Sequence, residues 1–506
     1  MHRAKSTFAL FFGTRALFPS SLITGARQEL ATVLKEWGHE TLLLDEHATR
    51  HGAVETTREG QVYADFLQAN RGKFDGVIVC LANFGDETGA VAAIKDAGVP
   101  ILVQAYPDEP DKMAAHLRRD AYCGKLSIMD VFCQYGVPFT ALPPHTVHLT
   151  SPRFRDNVEY FDRVCKVVNG VRGMTVGAIG ARTTPFKTVR IDELALQKHG
   201  ITVETLDLSS IIARAKELSA TDTAMKAKAD HLRPYTGWDS VPDRAFENLC
   251  RLAVVFDQVS EEYQLDALAI RCWTELQQQL GITPCVAMAL LNETGRAAAC
   301  EVDVGNAILM QAFGLASGEP VAVLDWNNNY GDEDNKCILF HCSAVPTKLM
   351  RGANAISGGG SGAARGGCAS TKRDGGASPT IAPHVEDHPM LARVVGAGNS
   401  FGCNAGRLAA TPFTFGSLLT RDGRIHCYLG EGRITDDPIA PDFFGCGGVA
   451  EIDHLQDVLL HVGRHGHRHH VSVTPGHLQA PIHEALERYL NFDVVAPQRT
   501  HGILNS

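Results

Sequence analysis

Among the 14 cysteines of this 506-residue chain none are paired as CxxC, and several (Cys80, Cys285, Cys300) lie in or beside apolar runs, where cysteine behaves as a small hydrophobe. Scattered thiols of this kind fit the reducing cytosol, so a cytoplasmic location is expected. No apolar run approaches the ~20 residues needed to cross a bilayer, which excludes a membrane-spanning helix from the reading. The opening MHRAKSTFALFFGTRALF has a basic start, but its apolar stretch is brief, broken by Gly13 and Arg15 and followed by no clear cleavage site, so it reads as a first strand rather than a leader. No long Lys/Arg stripe offsets the formal charge of -10, which argues against a nucleic-acid partner and for a small-molecule one. With 44% hydrophobic and 21% charged residues the composition is that of an ordinary globular protein, and the length allows two to four domains. No internal repeat is visible.

Residues 1–172 alternate strand-length apolar runs (TFALFFG, ETLLLDE, KFDGVIVCLAN, VPILVQAY) with helix-period segments such as ARQELATVLKEWG, the pattern of βαβ units around a parallel sheet. A second set runs over 173–350, from MTVGAIGAR through LDALAIRCW to EPVAVLDW, and predicts a second α/β domain carrying Glu301 and Asp325. Residues 351–380 are so rich in Gly, Ala and Ser that they read as a loop or interdomain link. The remainder of 351–506, with PFTFGSLLT, GRIHCYLGEG and HHVSV divided by turn residues and closed by the helical HEALERYLN, predicts a β-rich C-terminal domain carrying His470. The expected fold class is therefore α/β, two parallel-sheet domains followed by a β-rich one.

Three residues stand at the edges of strand-like runs: Glu301 after AAAC, Asp325 after PVAVL and His470 at the head of HVSVTPGH. Two carboxylates and an imidazole make a mixed oxygen and nitrogen set suited to Mn²⁺ or another hard-to-borderline divalent cation. Asp303 is expected on the same face of an extended segment as Glu301, and the run KCILF delivers His341. On residue type alone an acid after a strand also reads as a helix cap or a solvated turn. The neighbouring His465, His467 and His469 read either as an adventitious metal cluster or as solvated polar surface.

This constellation is similar to that of the fucose and arabinose isomerase family of ketol isomerases, most closely its fucose-type branch. There a Glu and an Asp stand about two dozen residues apart, as Glu301 and Asp325 do, and a metal-binding His heads a strand near the C-terminus, as His470 does. Phe84-Gly85-Asp86-Glu87-Thr88 resembles the family's aromatic-Gly-x-Glu-Thr turn, and DAYCGKLS, from Asp120 to Ser127, also looks familial; on their own both would read as turns and caps. The resemblance implies an aldose-ketose isomerase in which Glu301 and Asp325 are paired acid/base groups and, with His470, ligands of Mn²⁺, proton transfer passing through an enediol. It implies His341 as the further metal ligand of the arabinose branch, substrate-binding roles for His469 and Phe84, and an Arg15 that enters a neighbouring subunit's pocket in a homotrimer or homohexamer. L-fucose, D-arabinose, L-arabinose and an anionic hexose such as sulfoquinovose all stay open, because Ala82 stands where the family places an aromatic over the sugar and loosens the pocket. Residues 351–380 have no counterpart in the resemblance.

Gly398-Asn399-Ser400-Phe401-Gly402 matches the G-x-S-x-G pattern, but its flanks are turn-like, which argues against a nucleophilic Ser400. The Gly177 to Gly180 turn lacks a full dinucleotide fingerprint. Trp273, Leu276 and Leu280 read as core at helical spacing. Two other function classes remain open: a sugar-binding protein without catalysis, indifferent to metal and to Glu301→Gln, and a nucleotide-linked oxidoreductase dependent on the Gly177 to Gly180 turn.

Overall fold

The computed structural model describes residues 5–183, 185–353 and 382–499, so the expected loop at 351–380 lies, from residue 354 onward, outside the described residues. Contacts gather the chain into two compact units, His2–Gly170 with Ala480–Asn491, and Val171–Gln479 with Phe492–Ser506.

The first unit is built on four parallel strands in the order Thr41–Leu43, Phe8–Gly13, Gly76–Leu81, Ile101–Ala105. Every residue of Phe8–Gly13 and Gly76–Leu81 is buried, the near-continuous apolar run that a parallel strand covered on both faces requires. The helix Ser21–Glu36 buries Ile23, Ala26, Leu30, Val33 and Leu34, a stripe at spacings of three and four residues. A capping box of Thr56 and Glu59 starts the helix Thr57–Ala69. The late stretch Ala480–Asn491 belongs here through Tyr489, whose buried hydroxyl lies 2.9 Å from Thr140 Oγ1 and donates to the Ile101 carbonyl.

The second unit holds two sheets. One is parallel, in the order Thr202–Leu206, Thr175–Ile179, Ala267–Ile270, Ala297–Cys300. The other has nine strands, of which six close on themselves: Cys446–Glu451, Lys336–His341, Ala322–Asn329, His470–Pro475, Thr411–Arg421 and Arg424–Ile434 pair antiparallel in that order, and the last pairs back to the first. Leu324, Leu339, Phe413, Phe415, Tyr428, Val471 and Val473 belong to its core. The fold class is the expected one. The strands Ala322–Asn329 and Lys336–His341, read from the sequence with the second α/β domain, join the antiparallel ring instead. Only Tyr330 to Asn335 separate them, too short a link for a parallel crossover, which needs a dozen residues or so.

Strand alternation then decides what faces the helix Val304–Ser317. In His470–Pro475, Val471 and Val473 enter the ring's core while Ser472 and Thr474 turn to the helix, Ser472 Oγ donating to Asn306 Oδ1 at 2.8 Å and Thr474 Oγ1 donating to Ser317 Oγ at 2.9 Å. His470 shares their parity and their face.

Candidate metal and acid/base site

His470 and Asp325 are direct partners in the antiparallel pairing, so their side chains leave the ring on one face. Glu301 arrives from the parallel sheet, one residue past the strand Ala297–Cys300. The backbone turns sharply there: Glu301 (φ +55°) and Val302 (φ +61°) both occupy the left-handed region, which costs a β-branched residue such as valine most. Hydrogen bonds from Val302 N to the Ile270 carbonyl and from Asp303 N to the Cys300 carbonyl hold the turn. Asp303 does not continue an extended segment; it caps the helix Val304–Ser317, accepting from Asn306 N at 3.1 Å and Asn306 Nδ2 at 2.7 Å.

The imidazole of His470 is gripped at both nitrogens. Nδ1 lies 2.8 Å from Asp303 Oδ2, while Nε2 faces Glu301 Oε2 at 3.0 Å and Asp325 Oδ1 at 3.7 Å. The contact with Glu301 falls outside hydrogen-bond geometry, so Oε2 is a buried oxygen with no hydrogen bond, while Oε1 accepts from the Trp273 indole at 3.2 Å. Asp303 is itself neutralised by the buried guanidinium of Arg468. The ligating atoms of Asp325, His469 and His470 all lie within 4.8 Å of one another. Phe186 walls this corner, its ring meeting those of His469, His470 and Trp273 at 5.4, 5.8 and 6.0 Å.

Electrostatics separate the two site carboxylates. Burial works to raise Glu301, but His470 beside it, His341 and the Trp273 donor hold it down at about 2. Asp325 is pushed the other way, to about 6, because burial outweighs the attraction of His470 and the Glu301 carboxylate adds repulsion. Burial disfavours a charged His470, yet Asp303 and Glu301 keep its proton on well above the ordinary range. Asp303 stays ionised despite burial because Arg468 and His470 both favour its charge. One carboxylate is thus a fixed anion and the other can exchange a proton near neutrality, a division suited to general acid/base work.

The remaining sequence candidates fall as follows. His469, half-exposed, places Nε2 3.6 Å from Asp325 Oδ1. His341 is buried with both nitrogens engaged: Nδ1 accepts from Ala344 N at 3.1 Å and Nε2 lies 2.8 Å from Cys300 Sγ. Arg15 and Phe84 come together in the other unit, the guanidinium 4.4 Å from the ring centroid and paired with Glu87. Ala82 is fully buried there. Ser400 donates to Asp387 Oδ1 at 2.6 Å and precedes the strand Phe401–Arg407, the reverse of a strand-to-helix elbow. Leu276 and Leu280 are core, but Trp273 is not: its indole serves Glu301. Sequence reasoning gave no role to Asp303 or Arg468. The cap signature, Asp303 three residues before Asn306 at the head of the apolar VGNAILM, was the available clue to the first.

Comparison with known proteins gives two family matches: a model described as the fucose/sulfoquinovose isomerase N-terminal domain covers residues 9–172, and one described as the L-fucose isomerase C-terminal domain covers 339–497. Curated relatives include a sulfoquinovose isomerase from Alkalicoccus urumqiensis, 25% identical over 56% of this chain and 63% of its own length. Another, from a Clostridium species, is 25% identical over 60% of this chain and 58% of its own length. A third, from Priestia aryabhattai, is 22% identical over 58% and 64%. The chain therefore spans less than two thirds of the length of these relatives. Among solved structures, apo D-lactate dehydrogenase from Escherichia coli gives a TM-score of 0.15 at 11% identity, covering 62% of this chain and 98% of its own, too low a score to bear on the fold.

Proposed function

Since the chain belongs to the fucose/sulfoquinovose isomerase family, we propose that it is a divalent-metal-dependent aldose-ketose isomerase acting on a free sugar. The observation that carries this reading is the imidazole of His470, fixed through Nδ1 by Asp303 and turned with Nε2 toward Glu301 and Asp325. An imidazole oriented by a carboxylate behind it and facing two more carboxylates is the arrangement of a metal-ligating histidine and its outer shell. The fit is supported by Glu301 Oε2, buried without a hydrogen bond, and by a donor set of two carboxylates and one imidazole that suits Mn²⁺. Glu301, Asp325 and His470 would hold the cation, with His469 at its edge. When bound, such a cation polarises the two sugar oxygens and stabilises the negative charge that develops between them.

The chain's own groups handle the proton. Asp325 takes it from the carbon beside the carbonyl and returns it to the neighbouring carbon through the enediol, while Glu301 stays ionised. Trp273 and Phe186 wall the reacting carbons from water on one side. Of the sugars the sequence leaves open, the anionic hexose sulfoquinovose is favoured, because the three curated relatives carry that name. A homotrimer or homohexamer in which Arg15 of one copy reaches another copy's pocket belongs to the same reading, supported by the 86% exposed Leu17 two residues along the chain from Arg15. A cytoplasmic location is supported by the thiols, all free among the described residues. The test is a panel of aldoses with Mn²⁺, with and without chelator, followed by ketose formation. Turnover of sulfoquinovose that chelation abolishes is expected; a metal-loaded protein that converts no sugar overturns the reading.

A further inference from the structure

Close to the carboxylate of Glu301 lie two thiols that the isomerase reading does not use. Cys300 ends the strand Ala297–Cys300, and its parallel neighbour Ala267–Ile270 ends opposite it, Ile270 being in register with Cys300. Cys272 follows two residues later. The sulfur atoms of Cys272 and Cys300 and a carboxylate oxygen of Glu301 all lie within 4.8 Å of one another. His341 reaches Cys300 from the antiparallel ring: its Nδ1 accepts from Ala344 N, so the ring proton sits on Nε2, 2.8 Å from Cys300 Sγ, and the imidazole donates to that sulfur. Cys272, Cys300 and His341 are each at most 2% exposed, so no solvent competes for these donors.

We propose that Cys272, Cys300 and Glu301 form a second metal site, selective for a soft or borderline cation such as Zn²⁺, Cd²⁺ or Co²⁺, with His341 donating to the Cys300 sulfur from behind. Two thiolate sulfurs and one carboxylate oxygen are a zinc-type set, whereas Mn²⁺ prefers the oxygen-rich group of Glu301, Asp325 and His470. Metal–sulfur bonds of about 2.3 Å put tetrahedral sulfurs about 3.8 Å apart, within the observed spread. As each sulfur–metal bond forms, the thiol releases its proton to solvent, and no atom changes oxidation state. Glu301 is shared, so a cation seated here draws away the carboxylate that the proposed isomerase needs. Only this last consequence, inhibition by Zn²⁺ or Cd²⁺, rests on the isomerase reading.

The test is a Co²⁺ titration of the full chain with Cys123, Cys133 and Cys368 replaced by Ser, because Cys123 and Cys133 are exposed and Cys368 lies outside the described residues. The expected result is a thiolate-to-cobalt charge-transfer band that saturates at one equivalent and persists in Asp325→Asn. Cys272→Ser and Cys300→Ser should each weaken Co²⁺ binding at least tenfold and remove most of the band. Cys272→Ala guards against misfolding, since band loss at an unchanged metal-free Tm assigns the effect to the ligand. A titration without the band, or a band that survives both Cys272→Ser and Cys300→Ser, overturns the proposal. If the spectra behave as expected while no sugar is isomerised, the metal site stands and the isomerase reading falls.

Discussion

Asp303→Asn tests whether the carboxylate behind His470 orients the proposed metal ligands. The substitution keeps the size of the side chain and an oxygen able to cap the helix Val304–Ser317, and Asn caps about as well as Asp, so the helix start loses little. What disappears is a fully buried negative charge lying between His470 Nδ1 and the guanidinium of Arg468, itself 2% exposed. Removing one partner of such a pair strands the other and costs about 3–5 kcal/mol. Losing the carboxylate behind a ligating histidine lowers metal affinity ~10–100-fold. Calorimetric titration with Mn²⁺ measures the second effect and denaturant unfolding of the metal-free protein the first. Adding Arg468→Met should recover most of the stability, because a buried ion pair replaced on both sides is often neutral, while Mn²⁺ affinity stays low. An Asp303→Asn protein that is destabilised but binds Mn²⁺ within about twofold of the parent would refute the orientation argument.

Four further outcomes follow from the same geometry. Mn²⁺ binding should tighten as pH rises through about 6 and release more protons at pH 5 than at pH 8, about two against one, because both Asp325 and His470 then surrender a proton; titration in buffers of different ionisation enthalpy counts them. In the metal-free protein Asp325 holds its proton to about 6, so the folded state binds more protons than the unfolded one from its ordinary value up to there and stability falls as pH rises across that window. Asp325→Asn should therefore stabilise the apo-protein by about 1–2 kcal/mol at pH 8, after a discount for partial exposure, and by nothing measurable at pH 3.5, as denaturant midpoints will report. Trp273→Phe removes the donor to Glu301 Oε1 and should lower kcat/KM by roughly tenfold, about 1.4 kcal/mol, with a lowered Tm because the buried carboxylate loses its hydrogen bond. Gly305→Ala sets a methyl 2.3 Å from the Leu418 carbonyl oxygen and 2.8 Å from Arg468 Nη1, and should destabilise by about 3 kcal/mol in denaturant unfolding.

Much of this architecture is legible in the chain because parallel strands announce themselves: within TFALFFG and KFDGVIVCLAN the strands Phe8–Gly13 and Gly76–Leu81 are buried throughout, as continuous apolar runs imply. The hairpin that carries Asp325 was harder to place, because PVAVL has the same texture whether it joins a parallel sheet or a ring, and only the short link to KCILF separates the two cases. The three ligand candidates were found as strand-edge residues, but their convergence was not visible, since it depends on the pairing of His470 with Asp325, a long-range register. Trp273 misled for a physical reason: an aromatic at helical spacing from Leu276 and Leu280 reads as core, and nothing local reveals that its indole reaches Glu301. Arg468 sits in a run of histidines with no periodicity, so its burial against Asp303 had no sequence signal.

The two halves of the site are enforced by different physics. His470 and Asp325 are placed by register: a slip of one residue would turn His470 into the ring's core and expel Val471 and Val473, so the apolar face that stabilises the ring also fixes the two proposed ligands. Glu301 is placed by a turn whose two left-handed residues cost about 1–3 kcal/mol each, an expense that persists only where surrounding structure determines it. That structure is the helix Val304–Ser317, which packs on strands of both sheets and begins at the Asp303 cap. Asp303 thus bonds the helix start with one oxygen and His470 with the other. The strained backbone of Glu301 and the aim of His470 are anchored at the same carboxylate, so a change that loosens the helix start must also disturb the imidazole.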